Sequence, residues 1–204
     1  AIFPFAAFTR NAMADIGLVA RYDRVVGLKS KVGADLADTL SQTFEIGLRY
    51  RWNIIGSATS PILMAGVEYG RQMFFILKDA PPLPNITYDY LKLALVRVDW
   101  PFYARKLWRV GVGLAFDYLL VFSAGDIENE DSTSYGSSST GGINGELSFF
   151  FGYNGFSARI QGFYRRYFYA FDRICAQTSP GGCLEAGGAL DQYLGVTLNV
   201  GYRY

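Results

Sequence analysis

Residues 43–52 read Thr-Phe-Glu-Ile-Gly-Leu-Arg-Tyr-Arg-Trp. Taken two at a time, they separate cleanly. Phe44, Ile46, Leu48, Tyr50 and Trp52 fall on one face, and Thr43, Glu45, Gly47, Arg49 and Arg51 on the other. A β-strand sends successive side chains to opposite faces, whereas a helix turning roughly 100° per residue would mix the two sets. The segment reads as a strand with one apolar and one charged face.

The same sorting recurs along the chain. In 12–24, Ala14, Ile16, Leu18, Ala20 and Tyr22 oppose Asp15, Gly17, Arg21 and Asp23, with Val19 out of pattern. Segments 62–71, 107–120, 143–152, 156–168 and 190–204 repeat it, placing Glu68, Arg109, Asp117, Glu146, Arg159, Arg165 and Arg203 on the charged face. Segment 88–100 admits two phases. Either Leu91, Leu93 and Leu95 share the apolar face with Arg97 and Asp99, or Ala94, Val96, Val98 and Trp100 share it with Lys92. The second phase strands only one charge, and it turns the three leucines to the charged side.

The count is eight strands. Long connections (25–42, 72–87, 122–142, 169–189) alternate with short ones (53–61, 101–106, 153–155). Strands of about ten residues match the length that crosses a bilayer with tilt. The expected fold is therefore all-β, an eight-stranded antiparallel up-and-down transmembrane β-barrel. It occupies 12–204, with 1–11 as a tail or extra segment on the short-turn side. The chain starts at Ala1 with no signal pattern and reads as a mature or trimmed chain.

Composition narrows the functions. The 204 residues are 50% hydrophobic, 17% aromatic and 18% charged, with a net charge of +1. So weak a field does not suit nucleic acid. There is no run of roughly 20 apolar residues for a spanning helix. There is no His, which removes His-based nucleophilic catalysis, imidazole bases and His-ligated zinc. The expectation is a non-enzyme without metal or cofactor.

A soluble ligand-carrying barrel would line its cavity with the apolar face instead. Two features favour lipid outside. Trp52, Trp100 and Trp108 fall beside short turns with Phe102, Tyr103, Tyr153, Phe156, Tyr202 and Tyr204, as one interfacial aromatic girdle would. Tyr22, Tyr69, Phe74, Phe75, Tyr88, Tyr118, Phe122 and Tyr164 are candidates for the other girdle. Second, the charged face balances Asp15, Asp23, Glu45, Glu68, Asp99, Asp117 and Glu146 against Arg21, Arg49, Arg51, Arg97, Arg109, Arg159, Arg165 and Arg203. Glycines share that face, leaving room for long side chains.

With these residues in hand, the chain resembles the small outer-membrane barrels of Gram-negative bacteria, the OmpA/OmpX/OmpW-like group. The terminal segment Tyr193-Leu-Gly-Val-Thr-Leu-Asn-Val-Gly-Tyr-Arg-Tyr204, with Tyr202 and Tyr204, is similar to that group's insertion signal. The resemblance implies an integral outer-membrane protein inserted by the barrel assembly machinery, with both termini periplasmic. It is architectural, and fold alone does not carry function.

Eight strands leave an interior only wide enough for side chains. The charged face therefore reads as a salt-bridged plug, the alternative being a selectivity lining or proton path. Leu91, Leu93, Leu95, Phe150 and Phe163, if inward, would suit a narrow channel for small apolar solutes, as an OmpW-like resemblance implies. Arg71, Lys92 and Arg166 fall on the outward face near the long loops. They are candidates for lipopolysaccharide phosphates, or for plain snorkelling without a specific lipid. Cys175 and Cys183 flank Pro180-Gly181-Gly182 and are expected to form a disulfide. The expected role is a structural or interaction protein working through its loops or lipid-facing wall, one subunit of a larger envelope assembly among the options.

Overall fold

A computed structural model describes residues 3, 12–25, 27–32, 35–77, 86–125, 138–171 and 188–202. After a 3-10 turn at Ala12–Asp15, nine strands follow in order: β1 (Ile16–Val25), β2 (Lys29–Val32), β3 (Asp35–Asn53), β4 (Ile62–Leu77), β5 (Ile86–Arg105), β6 (Trp108–Gly125), β7 (Ser138–Tyr153), β8 (Phe156–Phe171) and β9 (Gly188–Tyr202). Eight long strands pair antiparallel with their sequence neighbours, from β1 through β3 to β9, and β2 pairs the far end of β3. The up-and-down order expected from the loop rhythm is what the chain adopts. Among the described residues no pairing joins β1 to β9, so they form the two edges of one curled sheet.

The strands are longer than the alternation suggested. β3 to β9 run for 15 to 20 residues, reaching well into segments 25–42, 72–87, 122–142 and 169–189. Apolar alternation marks only the part of each strand whose convex face is apolar. Beyond it, both faces carry polar residues and the pattern fades while the pairing continues. β2 continues β1 across a bulge. Val25 faces Ser41 and Lys29 faces Asp38, so β1/β2 carries one residue more than β3 between those pairs. Gly27, at φ 73°, supplies the left-handed residue that such a bulge requires. The turn Asn154-Gly155, with φ 45° and 84°, makes the tight hairpin between β7 and β8.

Segment 88–100 needs a correction. Neither of its two phases holds throughout. Tyr88, Tyr90, Lys92 and Ala94 are buried on the concave side. Leu95 and Val96 are then exposed in succession, and Arg97 is again buried. The register shows why: Ala94 faces Asp117 while Val96 already faces Phe116, so Leu95 is an inserted bulge residue. Leu91, Leu93 and Leu95 therefore do not face inward. Val96, Val98 and Trp100 keep the outward phase assigned to them.

Curvature puts the charged face inside. Among the described residues the buried hydrophobic set has ten members, four of them Tyr and four Ala, and the buried polar set has fourteen. The convex face meanwhile exposes Leu18, Ile46, Leu48, Val67, Leu114, Leu147, Ile160 and Leu198. The distribution is inverted relative to a protein folded for water. Glycine makes the interior fit. Gly70 pairs with Tyr90, Gly111 with Phe150 and Gly195 with Phe163, and each ring lies across its glycine. A Cβ on Gly70 or Gly111 would sit 2.3 Å from the ring atoms.

Candidate functional site

The curled sheet brings most of the charged side chains together inside. Register builds the centre. Glu68 on β4 stands opposite Gly47 on β3 and Lys92 on β5, and Glu45 stands opposite Gly70, which in turn faces Tyr90. Glycine beside each acid lets the long partners cross. The Lys92 ammonium lies 2.6 Å from Glu45 Oε2 and 2.6 Å from Glu68 Oε2. Arg49 Nη2 approaches Glu68 at 2.5 Å. From the opposite wall, Arg165 on β8 donates to Glu45 at 2.9 Å, to Gln72 and the Tyr90 hydroxyl at 2.9 Å, and to Asn144 at 3.3 Å. A single guanidinium thus ties β8 to β3, β4, β5 and β7.

A second cluster lies beside it. Arg97 meets Glu146 at 3.0 Å and Asp117 at 3.4 Å, and Asn144 donates to Asp117 at 2.8 Å and to Glu146 at 3.1 Å. Arg21 lies 2.5 Å from Asp23 and 3.6 Å from Glu146. Toward the short turns, Arg159 grips Asp99 through both nitrogens at 3.0 and 2.5 Å, and Arg51 meets Asp15 at 3.0 Å. Arg109 and Arg159 lie over the Phe150 ring at 5.9 and 5.0 Å. Burying an ion costs several kcal/mol, offset only when partners and hydrogen bonds are good. Here the four central acids, Glu45, Glu68, Asp117 and Glu146, each hold two or more cations or amides.

Toward the long loops the interior closes with tyrosine. Tyr88 stacks on Tyr167 with centroids 3.8 Å apart. Tyr169 donates to the Tyr88 hydroxyl, which donates to Asp191. Tyr167 donates to Gln72 at 3.0 Å. Alternation alone does not mark this layer off, and Tyr88 is not part of the second aromatic girdle for which it is a candidate. It is fully buried, and its phase follows once Lys92, four residues on, is known to face inward.

Two cavities flank the charged layer. One, of about 520 Å³, lies toward the short turns and is lined by Arg49, Lys92, Arg97, Arg109, Phe150 and Arg159 among others. The other, of about 760 Å³, lies toward the long loops against Phe163, Arg165, Tyr193 and Thr197. Phe150 and Phe163 do face inward, as the apolar-patch reading required, but the three leucines that would have completed the patch do not.

The outward cations change most. Lys92 is not on the outward face: the bulge at Leu95 sets its phase, and it is the most enclosed cation among the described residues. Arg71 is outward as expected, but it is 3.6 Å from Asp89, which also accepts from the Tyr69 hydroxyl at 2.8 Å. Its charge is therefore matched on the wall itself. Arg166 is outward, between Ile143 and Gln192. Arg203, Tyr204, Cys175, Cys183 and loop residues 126–137 lie outside the described residues, as do residues 1–11 except Phe3. The Phe3 ring lies inside, against Gly17, with the Arg51 guanidinium 4.3 Å above it. Among the described residues no cluster of three or more acidic, Cys or His side chains could hold a metal ion.

Comparisons of the chain with protein-family models, with curated protein sequences and with solved structures find no match.

Proposed function

We propose that this chain is an integral β-barrel of the bacterial outer membrane whose lumen is closed by its own ion pairs, and that it acts as a non-catalytic anchor or interaction protein. The observation that carries the reading is the inversion: ions and tyrosines within, a continuous aliphatic wall without. Exposed apolar surface on that scale marks a surface made to be covered. The wall also has edges. Exposed aromatics, Trp52, Trp100, Phe156 and Tyr202, ring the short-turn end. On the same strands, outward polar residues follow at Gln42, Asp89, Arg166 and Gln192. The two levels are ten or eleven residues apart (52 − 42, 100 − 89, 166 − 156, 202 − 192). At ~3.3 Å per residue and a ~45° tilt, ten residues rise about 23 Å. That is close to the ~25 Å apolar band of outer-membrane barrels.

In this reading the short turns and both termini face the periplasm, and the strand ends beyond the polar level project outward with the long loops. The Glu45–Lys92–Glu68–Arg49 chain and the Arg165 crossbar close the passage between the two cavities. Work is then left to the loops and the wall, in contact with envelope lipid or a protein partner. Refolded protein in a planar lipid bilayer tests this. Silence from demonstrably inserted protein is the expected result. Steady openings altered by Arg49→Gln would establish the narrow channel instead, and full solubility without detergent would sink the membrane reading itself.

A further inference from the structure

The two cavities are not electrically alike. Three Arg/Lys side chains and three carboxylates line the long-loop cavity. The short-turn cavity is lined by seven Arg/Lys side chains and three carboxylates. Part of the countercharge stands behind the wall. Arg51 is matched by Asp15, and Arg97 by Asp117 and Glu146, and none of these three acids lines the cavity. Arg21, Arg51 and Arg97 thus face the space with their acids withdrawn, while Glu45, Glu68 and Asp99 line it beside Lys92, Arg49 and Arg159.

They are also held in place. Phe150 orients two guanidiniums and Phe3 a third. Arg159 is fixed by both oxygens of Asp99. Arg49 and Arg97 are each tied through one nitrogen to an acid, Glu68 and Glu146. Preorganised guanidinium forks match phosphate oxygens better than any other common anion. A volume of about 520 Å³ lies within the ~300–1,000 Å³ usual for small-molecule sites.

We infer that this cavity is a binding site for a small multivalent oxyanion of the pyrophosphate or phosphate-ester class, entering from the short-turn side. The inference stands on the interior alone and holds whether or not the barrel conducts. The phosphate group belongs either to a free anion or to a lipid headgroup, and two probes separate these sources.

Titration calorimetry of the folded chain in neutral detergent, with sodium pyrophosphate as probe, is the test. Binding is expected, weakening as potassium chloride rises. Arg49→Gln and Arg109→Gln are each expected to bind about tenfold more weakly, from the loss of a charge-assisted contact. Arg24→Gln, in the other cavity, is expected to bind as the parent does. Dihexanoyl phosphatidic acid is the lipid probe. Binding of that lipid without pyrophosphate would assign a headgroup site, and the reverse a free-anion site. Absence of heat with both probes overturns the inference, as does equal binding of tetramethylammonium. Equal affinity in the Arg49 and Arg109 variants overturns the location. If those variants do not fold, Arg51→Gln at the half-exposed rim decides in their place: unchanged affinity there overturns the location too.

Discussion

Replacing Leu48 by Arg separates a lipid-facing wall from a water-facing one. Leu48 is 54% exposed on the convex face of β3, between Leu18 on β1 and Val67 on β4. It lies four residues above Trp52 and six below Gln42. At ~3.3 Å per residue and ~45° tilt it stands about 9 Å above the aromatic level. In a band of about 23 Å that is near the midplane, where Arg costs ~2–4 kcal/mol. Gln42→Arg, at the upper edge, should cost ~0–1 kcal/mol. Strand propensity differs by less than ~1 kcal/mol between such residues and acts on both variants.

If water covered the convex face, the same substitution at Leu48 would fall within about ±0.5 kcal/mol. The assay is reversible urea unfolding from phosphocholine bilayers, followed by fluorescence of the three Trp and extrapolated linearly. Leu48→Arg should lose about 1–4 kcal/mol more than Gln42→Arg. Ile160→Arg, four residues above Phe156 on the far wall, should repeat the loss. A difference below about 0.5 kcal/mol between the Leu48 and Gln42 variants would refute the placement of the band.

Three further outcomes follow from the interior. Glu45→Gln removes the acid shared by Lys92 and Arg165 and should cost about 3–5 kcal/mol. Adding Lys92→Met should restore part of that loss, and strict additivity in the cycle would show that the two do not act as a pair. Gly70→Ala should destabilise by about 1–3 kcal/mol, because its Cβ meets the Tyr90 ring at 2.3 Å. Gly145→Ala, with nothing within 4 Å, should be neutral or gain up to ~1 kcal/mol, and urea midpoints that rank the two the other way would contradict the packing. Deleting Leu95 should prevent refolding while Leu95→Ala folds, as checked by the heat-dependent shift in gel mobility.

Much of this was legible because the alternation in segments such as 43–52 has one physical cause, the strand's two faces. It yields the eight main strands, though not their full length, their order, and the charged face with Arg49, Arg97, Asp117, Glu146 and Arg165. It is silent about which face curls inward, since a concave apolar face would produce the same string. It is silent about partners too. Arg165 and Glu45 are 120 residues apart, and only the closing of β8 over β3 makes them neighbours. The tyrosine layer was hidden for a different reason. Tyr is equally at home at a membrane interface and in a hydrogen-bonded interior, so identity alone could not place Tyr88.

Segment 88–100 shows why strict period two fails where a strand carries charges of opposite phase. Lys92 and Arg97 are five residues apart, so a regular strand must turn one of them outward. Either choice would put a cation on the apolar wall, which under the proposed membrane placement costs about 2–4 kcal/mol near the midplane, and the phase that exposes Arg97 exposes Asp99 with it. Inserting Leu95 as a bulge sends Lys92 to Glu45 and Glu68, Arg97 to Asp117 and Glu146, and Asp99 to Arg159. The cost is a local interruption of pairing on both flanks, between Ala94 and Val96 toward β6 and opposite Ala65 toward β4. What reads in the sequence as an unresolved choice of face is thus the position at which the strand uses both, and the bulge that permits this is what supplies the central cation of the interior.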